Sequence, residues 1–316
     1  MSAAAALARA GRNPFSLDDD AAYRAWRDWK LERGPGSAAE LVVEVRDAAD
    51  LAASERDEIL KRCRNANMAV YASARRGNER EMVRRFGERL GLTRLDANWL
   101  ADEDGVSSLS ATGGDAARGE YIPYTNRPIR WHTDGYYNPP ERRIDAMLLH
   151  CVRSAAQGGE NRVLDHEIAY IRLRDASPEH VRALASPLAM RIPQRDAAPG
   201  EAGAGGEARA ARTGPVFSLR EGDADLHMRY TARTRSIEWR DDEATRAAVA
   251  ALAAILEAET RHVHRVRLEP GMGLVCNNVL HDRGGFSDAP GSERLVLRAR
   301  YLDRIEGTQG AWRDAG

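Results

Sequence analysis

The segment WHTDGYYNPP, residues 131–140, places a histidine and a carboxylate directly before a glycine and a pair of prolines. The runs 122–124 and 128–131 that precede the histidine read as extended chain, and in a strand residues i and i+2 point to the same face. His132 and Asp134 therefore share one face and can chelate one ion. The glycine and the prolines predict that the strand ends here, so both side chains lie at the mouth of a sheet.

A second histidine lies far along the chain, in the segment NNVLHDRGGF of residues 277–286. Residues 273–278 read as an apolar strand that leads into His281, which delivers a third candidate ligand. Two histidines and one carboxylate form the facial triad by which non-haem oxygenases hold Fe(II), with positions left open for a co-substrate and dioxygen. Because a bare His-x-Asp triplet is too short to be specific, this interpretation depends on His132, Asp134 and His281 together.

Arginines recur along the last predicted strand, residues 293–301. A period of two puts Arg294, Arg298 and Arg300 on one face and mainly apolar residues on the other. A buried charge without a partner is very costly, so arginines on an inward face need an anion. The carboxylate of a bound co-substrate would supply one through paired hydrogen bonds.

These motifs resemble those of the taurine dioxygenase-like (TauD/TfdA) family of Fe(II)/2-oxoglutarate-dependent oxygenases. Four segments carry the resemblance, in order, between about residues 105 and 303: WHTDGYYNPP, QGGENRVLDHEIAY, NNVLHDRGGF and ERLVLRARYLD. The resemblance implies a mainly β fold with helical additions (α+β). Its centre would be a double-stranded β-helix, the jelly-roll barrel of the cupin kind.

The resemblance also implies roles for particular residues. His132, Asp134 and His281 would hold the iron. Arg294 would bind the distal carboxylate of 2-oxoglutarate, and Arg298 would lie near the other end of this co-substrate or contact the substrate. The implied reaction uses O2 to hydroxylate an unactivated C–H bond of a small polar metabolite, coupled to decarboxylation of 2-oxoglutarate to succinate.

One position departs from the family pattern, in which a threonine often follows the Gly-Gly-acidic turn and hydrogen-bonds 2-oxoglutarate. Asn161 stands at this position, and its amide can still donate a hydrogen bond to the co-substrate. The carboxylate of Asp134 argues against halogenation, because related halogenases carry a small residue there.

Candidate substrate residues follow the first metal motif. We expect Tyr136, Tyr137 and Asn138 to form the pocket wall, where tyrosines can also stack on a cation. Arg229 lies on a predicted strand after the low-complexity segment, and it binds either an anionic substrate group or a surface carboxylate. The charge and the identity of the substrate stay open.

The chain is expected to form one large domain, since barrels often run beyond about 200 residues undivided. Residues 1–17 are interpreted as a loose tail and residues 18–316 as a single oxygenase domain. In that domain, helical and strand elements at 18–104 precede a jelly-roll core at 105–303. Residues 195–214 are interpreted as a flexible loop insertion, either a lid or a passive segment.

Local patterns predict individual helices. A helix is expected at about residues 18–33, and another at 54–64 with Ser54 as its N-cap. A third helix is expected to start near Asp241-Asp242, with Leu252 on its apolar stripe.

Composition bears on partners and location. A net charge of −1 gives no reason to expect binding to nucleic acid or membranes, and the apolar run 247–256 is too short to span a bilayer. Cys63, Cys151 and Cys276 are odd in number and widely spaced, which predicts no disulfide framework and a cytoplasmic location. The expected partner is a small-molecule substrate, and a homo-oligomer is an open possibility because similar barrels often pair.

Two other function classes stay open. A cupin-like metalloenzyme that is not an oxygenase, such as a hydrolase or an isomerase, would use a metal-activated water. It would not need the arginines that follow His281. A catalytically silent barrel used for binding or sensing would have no physical reason to retain three ligands.

Overall fold

The computed structural model describes residues 13–75, 77, 79–96, 104–111, 122–194, 210–220, 225–234 and 237–312. Most of the predicted N-terminal tail, residues 1–12, and most of the predicted loop insertion, residues 195–209, lie outside these ranges. The described ends of both segments differ from the prediction. Phe15 is buried in the core, and residues 212–214 form a strand.

The helices of the described residues are α1 (Asp20–Arg33), α2 (Ala53–Ala66), α3 (Glu79–Arg89), α4 (His166–Ala176), α5 (Pro178–Leu184) and α6 (Glu243–Glu257). Short 3-10 helices lie at Ala38–Leu41, Ile122–Tyr124 and Pro140–Arg142. The strands are β1 (Val42–Val45), β2 (Met68–Ser73), β3 (Ser107–Leu109), β4 (Ile129–His132), β5 (Ala146–Arg153), β6 (Gln157–Gly158), β7 (Asn161–Leu164), β8 (Met190–Ile192), β9 (Arg212–Gly214), β10 (Phe217–Leu219), β11 (Leu226–Met228), β12 (Glu238–Trp239), β13 (His264–Val266), β14 (Met272–Cys276), β15 (Leu280–Arg283), β16 (Phe286–Ser287) and β17 (Leu295–Tyr301).

Two antiparallel sheets organise the molecule. The larger has the order β1-β2-β14-β5-β17-β3, with only the β1–β2 pair parallel, and the smaller has the order β13-β7-β15-β4. Strands β12-β8-β9, β10-β11 and β16-β6 form three minor sheets. The fold is therefore a mixed α/β fold with several antiparallel sheets. The predicted closed barrel is not seen as such, because no sheet closes on itself among the described residues.

The layers follow from the alternation of side chains along the strands. On β14, Val275 points outward to a cluster with Phe86 under α2 and α3, whereas Leu274 points inward to a cluster that includes Val163 of the four-stranded sheet. The far side of the four-stranded sheet contributes Trp131 to a third cluster, formed with α1, α4 and α6. The two main sheets thus face one another between two layers of helices.

The helix predictions are confirmed with one exception at a cap. Helix α1 forms where expected, and Asp242 caps α6 by accepting a hydrogen bond from the Thr245 amide at 2.7 Å. The start of α2 was predicted wrongly, since Ser54 lies inside the helix. Its N-cap is Ala52, whose amide donates to Glu55 Oε2 at 2.8 Å. The side chain of the third helical residue supplies the cap here.

The strand predicted at residues 273–278 ends early. Strand β14 stops at Cys276, and Asn278 has a left-handed φ of 50°, which asparagine tolerates better than most residues. The chain crosses at this point from the six-stranded to the four-stranded sheet, so His281 lies on β15 and not on a continuation of β14. Residues 122–124 also differ from the prediction, because they form a 3-10 helix rather than extended chain.

A buried ion cluster ties α1 to the start of α4. Of the 47 Lys and Arg residues, only Lys30 and Lys61 are lysine. Lys30 is 1% exposed, and its Nζ lies 2.7 Å from Asp165 Oδ2 and in contact with Glu167. Burial alone would lower the pKa of Lys30, but the two carboxylates outweigh it and raise the pKa. The ammonium is therefore charged inside the core.

Replacing Lys30 by alanine should lower the free energy of unfolding by about 3–5 kcal/mol, because two buried carboxylates lose their cation. Lys61→Ala is the matched control, since Lys61 is 65% exposed, and it should change stability by less than about 0.5 kcal/mol. Urea unfolding of both variants measures the difference. Equal stability of the two variants would contradict the assignment of Lys30 as a buried structural cation.

Candidate metal centre

Strands β4 and β15 bring the two histidines of the sequence motifs together. They pair antiparallel with His281 directly opposite His132. Directly opposed residues of such a pair place their side chains on the same face, and the two imidazole centroids lie 4.2 Å apart. A single strand pairing thus brings together His132 and His281, which lie well over a hundred residues apart in the sequence.

Each imidazole has one ring nitrogen engaged and the other left open. Nδ1 of His132 lies 2.9 Å from the carbonyl oxygen of Arg130, and Nδ1 of His281 lies 3.0 Å from that of Val279. A carbonyl only accepts hydrogen bonds, so both Nδ1 atoms carry the proton and both Nε2 atoms present a lone pair. This is the tautomer that a metal-binding histidine needs.

Asp134 completes a group of three possible metal ligands. One ligand atom from each of His132, Asp134 and His281 lies within 4.8 Å of the others, and His132 Nε2 is 3.7 Å from Asp134 Oδ1. Asp134 Oδ2 is buried and accepts no hydrogen bond from the described residues. Two open nitrogen lone pairs and an unsatisfied carboxylate oxygen fit a divalent cation.

Asp134 reaches this group from a turn and not from the strand. Strand β4 ends at His132, and Gly135 follows with a φ of 66°. A Cβ on Gly135 would lie 2.4 Å from the Ile144 side chain, so the turn requires glycine. The strand thus ends three residues before this glycine, earlier than predicted, and the i, i+2 strand geometry expected for the pair is wrong.

The electrostatics of the three groups favour binding of a cation. Burial, reinforced by the neighbouring His281, lowers the pKa of His132 to about 3, so this imidazole is neutral at pH 7. Burial alone would raise the pKa of Asp134, but Arg298 and Arg300 outweigh it and hold the pKa below its ordinary value. The centre therefore offers a neutral imidazole and an ionised carboxylate.

The arginines of β17 differ in what they contact. Arg300 lies 2.5 Å from Asp96 Oδ2 and donates to the Tyr137 hydroxyl at 2.9 Å, and Arg298 Nη1 lies 3.4 Å from Asp134 Oδ1. Arg294 is 6% exposed, and burial lowers its pKa. No described residue gives Arg294 a hydrogen bond or an ion pair. It is the arginine of the three that lacks an anion.

The sequence matches the model of the family described as "Taurine catabolism dioxygenase TauD, TfdA family" over residues 39–300. The chain belongs to this family. This family match supports the predicted reaction class, an Fe(II)- and 2-oxoglutarate-dependent dioxygenase.

Two curated relatives are named uridine-5'-phosphate dioxygenase. One, from Amycolatopsis sp, is 30% identical over 178 residues, which cover 55% of this chain and 60% of the relative. The other, from Streptomyces sp, is 28% identical over 208 residues, which cover 64% of this chain and 70% of the relative. The chain thus matches about three fifths of the length of the first.

Solved structures of similar fold include an asparagine oxygenase with Fe(II), 2S,3S-3-hydroxyasparagine and succinate. It has a TM-score of 0.55 at 19% identity, over 95% of this chain and 89% of that one. The non-haem iron oxygenase OrfP with Fe, succinate and (3S)-hydroxy-L-Arg has a TM-score of 0.58 at 18% identity, over 87% of this chain and 90% of that one. At these identities the likeness shows the fold. No helix in the described ranges is long and apolar enough to cross a membrane.

The other predicted site residues of this dioxygenase lie in different surroundings. Tyr136 packs edge-on against Tyr137 and joins the apolar core, and the Asn138 amide donates to the Arg142 carbonyl at 2.8 Å. Asn161 is buried at the start of β7, the strand that pairs with β15. The structure brings Tyr137 to the triad indirectly, through Arg300.

The Arg229 side chain contacts strands β8 and β9 and not the triad. Its guanidinium donates to the Met190 carbonyl at 3.1 Å and lies beside Gly214, so its contacts are with β8 and β9. Burial lowers the pKa of Arg229 to about 10. Neither the triad nor a carboxylate is among its contacts in the described chain. The role in substrate binding suggested by the sequence stays a prediction.

A cleft of about 710 Å³ opens on the far side of the four-stranded sheet. Trp131 and Asp282 line it, whereas His132 and His281 are their strand neighbours and point to the opposite face. The triad is not part of this cleft.

Sequence reasoning missed two residues that hold the centre in place. Arg283, two positions after His281, donates to the carbonyl oxygens of Thr125 and Arg127, both at 2.6 Å, and so fixes the turn that leads into β4. Asn278 binds the backbone of Asp134. The arginine carries no local signal of this contact, but two consecutive asparagines at the end of an apolar run are a turn signal.

Arg283→Lys should loosen the turn before β4, because an ammonium cannot reach both carbonyls with the geometry of a guanidinium. We expect a loss of about 1–3 kcal/mol in unfolding free energy and faster hydrogen exchange at the Thr125 amide, which bonds to the Ile122 carbonyl. Arg267→Lys, which disturbs similar bonds to Ala155 and Gly158, should leave Thr125 unchanged. Unaltered hydrogen exchange at the Thr125 amide in Arg283→Lys would show that the Arg283 hydrogen bonds do not stabilise this turn.

Proposed function

We propose that this chain hydroxylates an unactivated C–H bond of a small polar metabolite, with His132, Asp134 and His281 as the ligands of Fe(II). The observation that carries the proposal is the orientation of the two imidazoles. Both have Nδ1 tied to a backbone carbonyl and Nε2 left open, and one ligand atom of each lies within 4.8 Å of an oxygen of Asp134, whose Oδ2 is buried and unsatisfied. Two neutral nitrogens and one carboxylate oxygen are typical of non-haem Fe(II) oxygenases.

The iron, when bound with 2-oxoglutarate and O2, supplies the oxidant, and succinate and carbon dioxide are the co-products. The protein holds and orients the participants. Tied Nδ1 atoms fix the rings, which spares the reorganisation that free histidines would undergo on binding metal. Arg298 lies against Asp134 Oδ1 and helps keep this carboxylate ionised.

We assign the distal carboxylate of 2-oxoglutarate to Arg294. The support is its burial without an anionic partner in the described chain, since a buried guanidinium is stable only when its charge is met. Its Nε lies 3.5 Å from the position that a Cβ on Gly159 would occupy, next to the turn that carries Asn161. Asn161 is our candidate for a second polar contact to the co-substrate.

We further infer that the two main sheets are the halves of a double-stranded β-helix. They face one another across a shared apolar cluster, and the triad lies on the four-stranded half while the arginines come from β17 of the six-stranded half. A co-substrate bound between the sheets would reach both. The likeness of fold to iron oxygenases supports this arrangement.

For the substrate we propose a nucleoside 5'-phosphate. The two curated relatives described above are named for uridine-5'-phosphate, and they share more sequence with this chain than the two solved structures, which hold hydroxylated asparagine and hydroxylated arginine. Tyr137, which is half-buried, offers aromatic surface for a base, with Tyr136 packed behind it. Arg298 has a buried Nε without a partner among the described residues, and a phosphate would satisfy it. An amino acid is the second candidate.

The remaining assignments stay predictions. Cys63, Cys151 and Cys276 are buried and are not joined in disulfides. We retain the cytoplasm as the proposed location and a homo-oligomer as an open state.

Succinate formation tests the function directly. Purified protein with Fe(II), ascorbate, 2-oxoglutarate and air should release succinate faster with uridine-5'-phosphate than with uridine, asparagine or arginine. Phosphate should be measured too, because an alcohol on a carbon that bears a phosphate ester collapses with loss of phosphate. Asp134→Ala should abolish the stimulated rate. Stimulation by amino acids alone would move the substrate to the second class, and no succinate with any compound would refute the proposal.

Arg294→Ala should raise the KM for 2-oxoglutarate by about 10- to 100-fold, because a hydrogen bond between charged groups contributes about 1.5–3 kcal/mol. The turnover at saturating co-substrate should change less. Arg182→Ala, on the exposed surface of α5, is the control. A normal KM in Arg294→Ala together with a raised KM in Arg298→Ala would transfer the role to Arg298.

A further inference from the structure

Asn278 occupies the point where the chain passes from one main sheet to the other. It lies between Cys276, the last residue of β14, and Leu280, the first residue of β15. It is 2% exposed, and its φ of 50° gives the chain the left-handed step that turns it toward the four-stranded sheet. His281 follows three positions later.

The side chain of Asn278 is fully used by the segment that carries the carboxylate ligand. Its Oδ1 accepts a hydrogen bond from the Asp134 amide at 2.8 Å. Its Nδ2 donates to the carbonyl oxygens of Asp134 at 3.0 Å and of Ile144 at 2.8 Å. The acceptor and one donor bond of the amide thus hold the backbone of Asp134, the other donor bond holds the Ile144 carbonyl, and only a primary amide offers that set.

The hydrogen bonds of Asn278 hold the chain at Asp134, beyond the end of the strand pairing between β4 and β15. The pairing of β4 with β15 fixes His132 opposite His281, but β4 ends before Asp134. Thr133 is held by the Tyr230 carbonyl at 3.0 Å. Among the described residues, the backbone hydrogen bonds of Asp134 are those with the Asn278 side chain. The placement of the carboxylate relative to His281 therefore depends on a side chain three residues from that histidine.

We propose that Asn278 is a positioning residue of the metal centre, which sets the distance of the Asp134 carboxylate from the two imidazoles before any ion binds. This inference rests on the proposed function, since it presumes that the triad holds a divalent metal. Preorganised ligands bind metal tightly because the protein need not reorder on binding. Loss of such supporting contacts typically weakens metal affinity about 10- to 100-fold.

Asn277 provides a matched control. It is the adjacent residue, it is also an asparagine 2% exposed, and it also makes three hydrogen bonds. Its partners are Asn67, Thr308 and the Ile305 amide, which lie away from the triad. Removing either side chain costs comparable buried hydrogen bonds, so a purely structural role predicts similar effects of the two substitutions.

The test measures Co(II) and Fe(II) affinity, by anaerobic titration, of the intact protein and of Asn278→Gly and Asn277→Ala. Glycine keeps the left-handed backbone at position 278 without strain, so it removes only the side chain. We expect Asn278→Gly to bind both metals about 10- to 100-fold more weakly, with a Co(II) visible spectrum that shifts toward that of Asp134→Ala. Asn277→Ala should lower the melting temperature but keep the affinity of the original protein within about twofold.

Unchanged affinity in Asn278→Gly would overturn the inference, and so would an equal loss in both variants. If Asn278→Gly does not fold, Asn278→Asp decides by the same criteria, because it keeps the acceptor for the Asp134 amide and loses both donors. If the original protein binds neither metal, or binds them as well after Asp134→Ala, the metal assignment of the proposed function is what fails, and the inference falls with it. The two failures are thus distinguishable.

Discussion

The pairing of β15 with β4 is the constraint on which the site depends. Strand β15 is also paired with β7 on its other side, so it cannot shift without breaking two ladders. A slip of one residue would turn His281 to the outer face and Asp282 to the inner one. Asp282 is itself bound on the outer face by the amide and guanidinium of Arg162, and this ion pair resists the slip. Register, and not the histidines themselves, makes two distant residues into one centre.

Buried arginines explain much of the remaining architecture. A guanidinium keeps its charge in a protein, so each buried one needs hydrogen bonds or an ion pair with an oxygen acceptor. Arg300 donates hydrogen bonds to Asp96 and Tyr137, and Arg283 donates to backbone carbonyls. Among the described residues Arg298 forms its ion pair with Asp134, the carboxylate that we assign to iron. Arg294 lies over the Phe286 ring at 5.1 Å but has no hydrogen bond or ion pair with a described residue, which is why we place a carboxylate-bearing co-substrate here.

The sequence was sufficient for the parts of the site that local pattern controls. Helix α6 follows Asp242 because a capping carboxylate precedes an apolar stripe, and the proposed triad was recognised from two histidines and a carboxylate taken together. It was insufficient where contacts between distant segments decide. The expected strand geometry for Asp134 was wrong because strand β4 ends before this residue. The turn at Gly135 and the side-chain amide of Asn278 position Asp134 instead. Nothing within a few residues of Asn278 indicates that its partner lies more than a hundred positions earlier.

The same long-range polar contacts connect the centre to the outer helices. Asn277 binds Asn67, Asn67 donates to Asp165 at 3.0 Å, and Asp165 pairs with Lys30 of α1. In a chain that otherwise uses arginine almost everywhere, a lysine stands at this buried position, where a compact ammonium fits between two carboxylates and a planar guanidinium would need more room. The crossing that carries Asn278 is therefore anchored on one side by Asp134 and on the other by a charged cluster at the helical layer. Because unpaired members of such a network are costly to bury, its parts hold one another in a single arrangement, and that rigidity reaches the ligands.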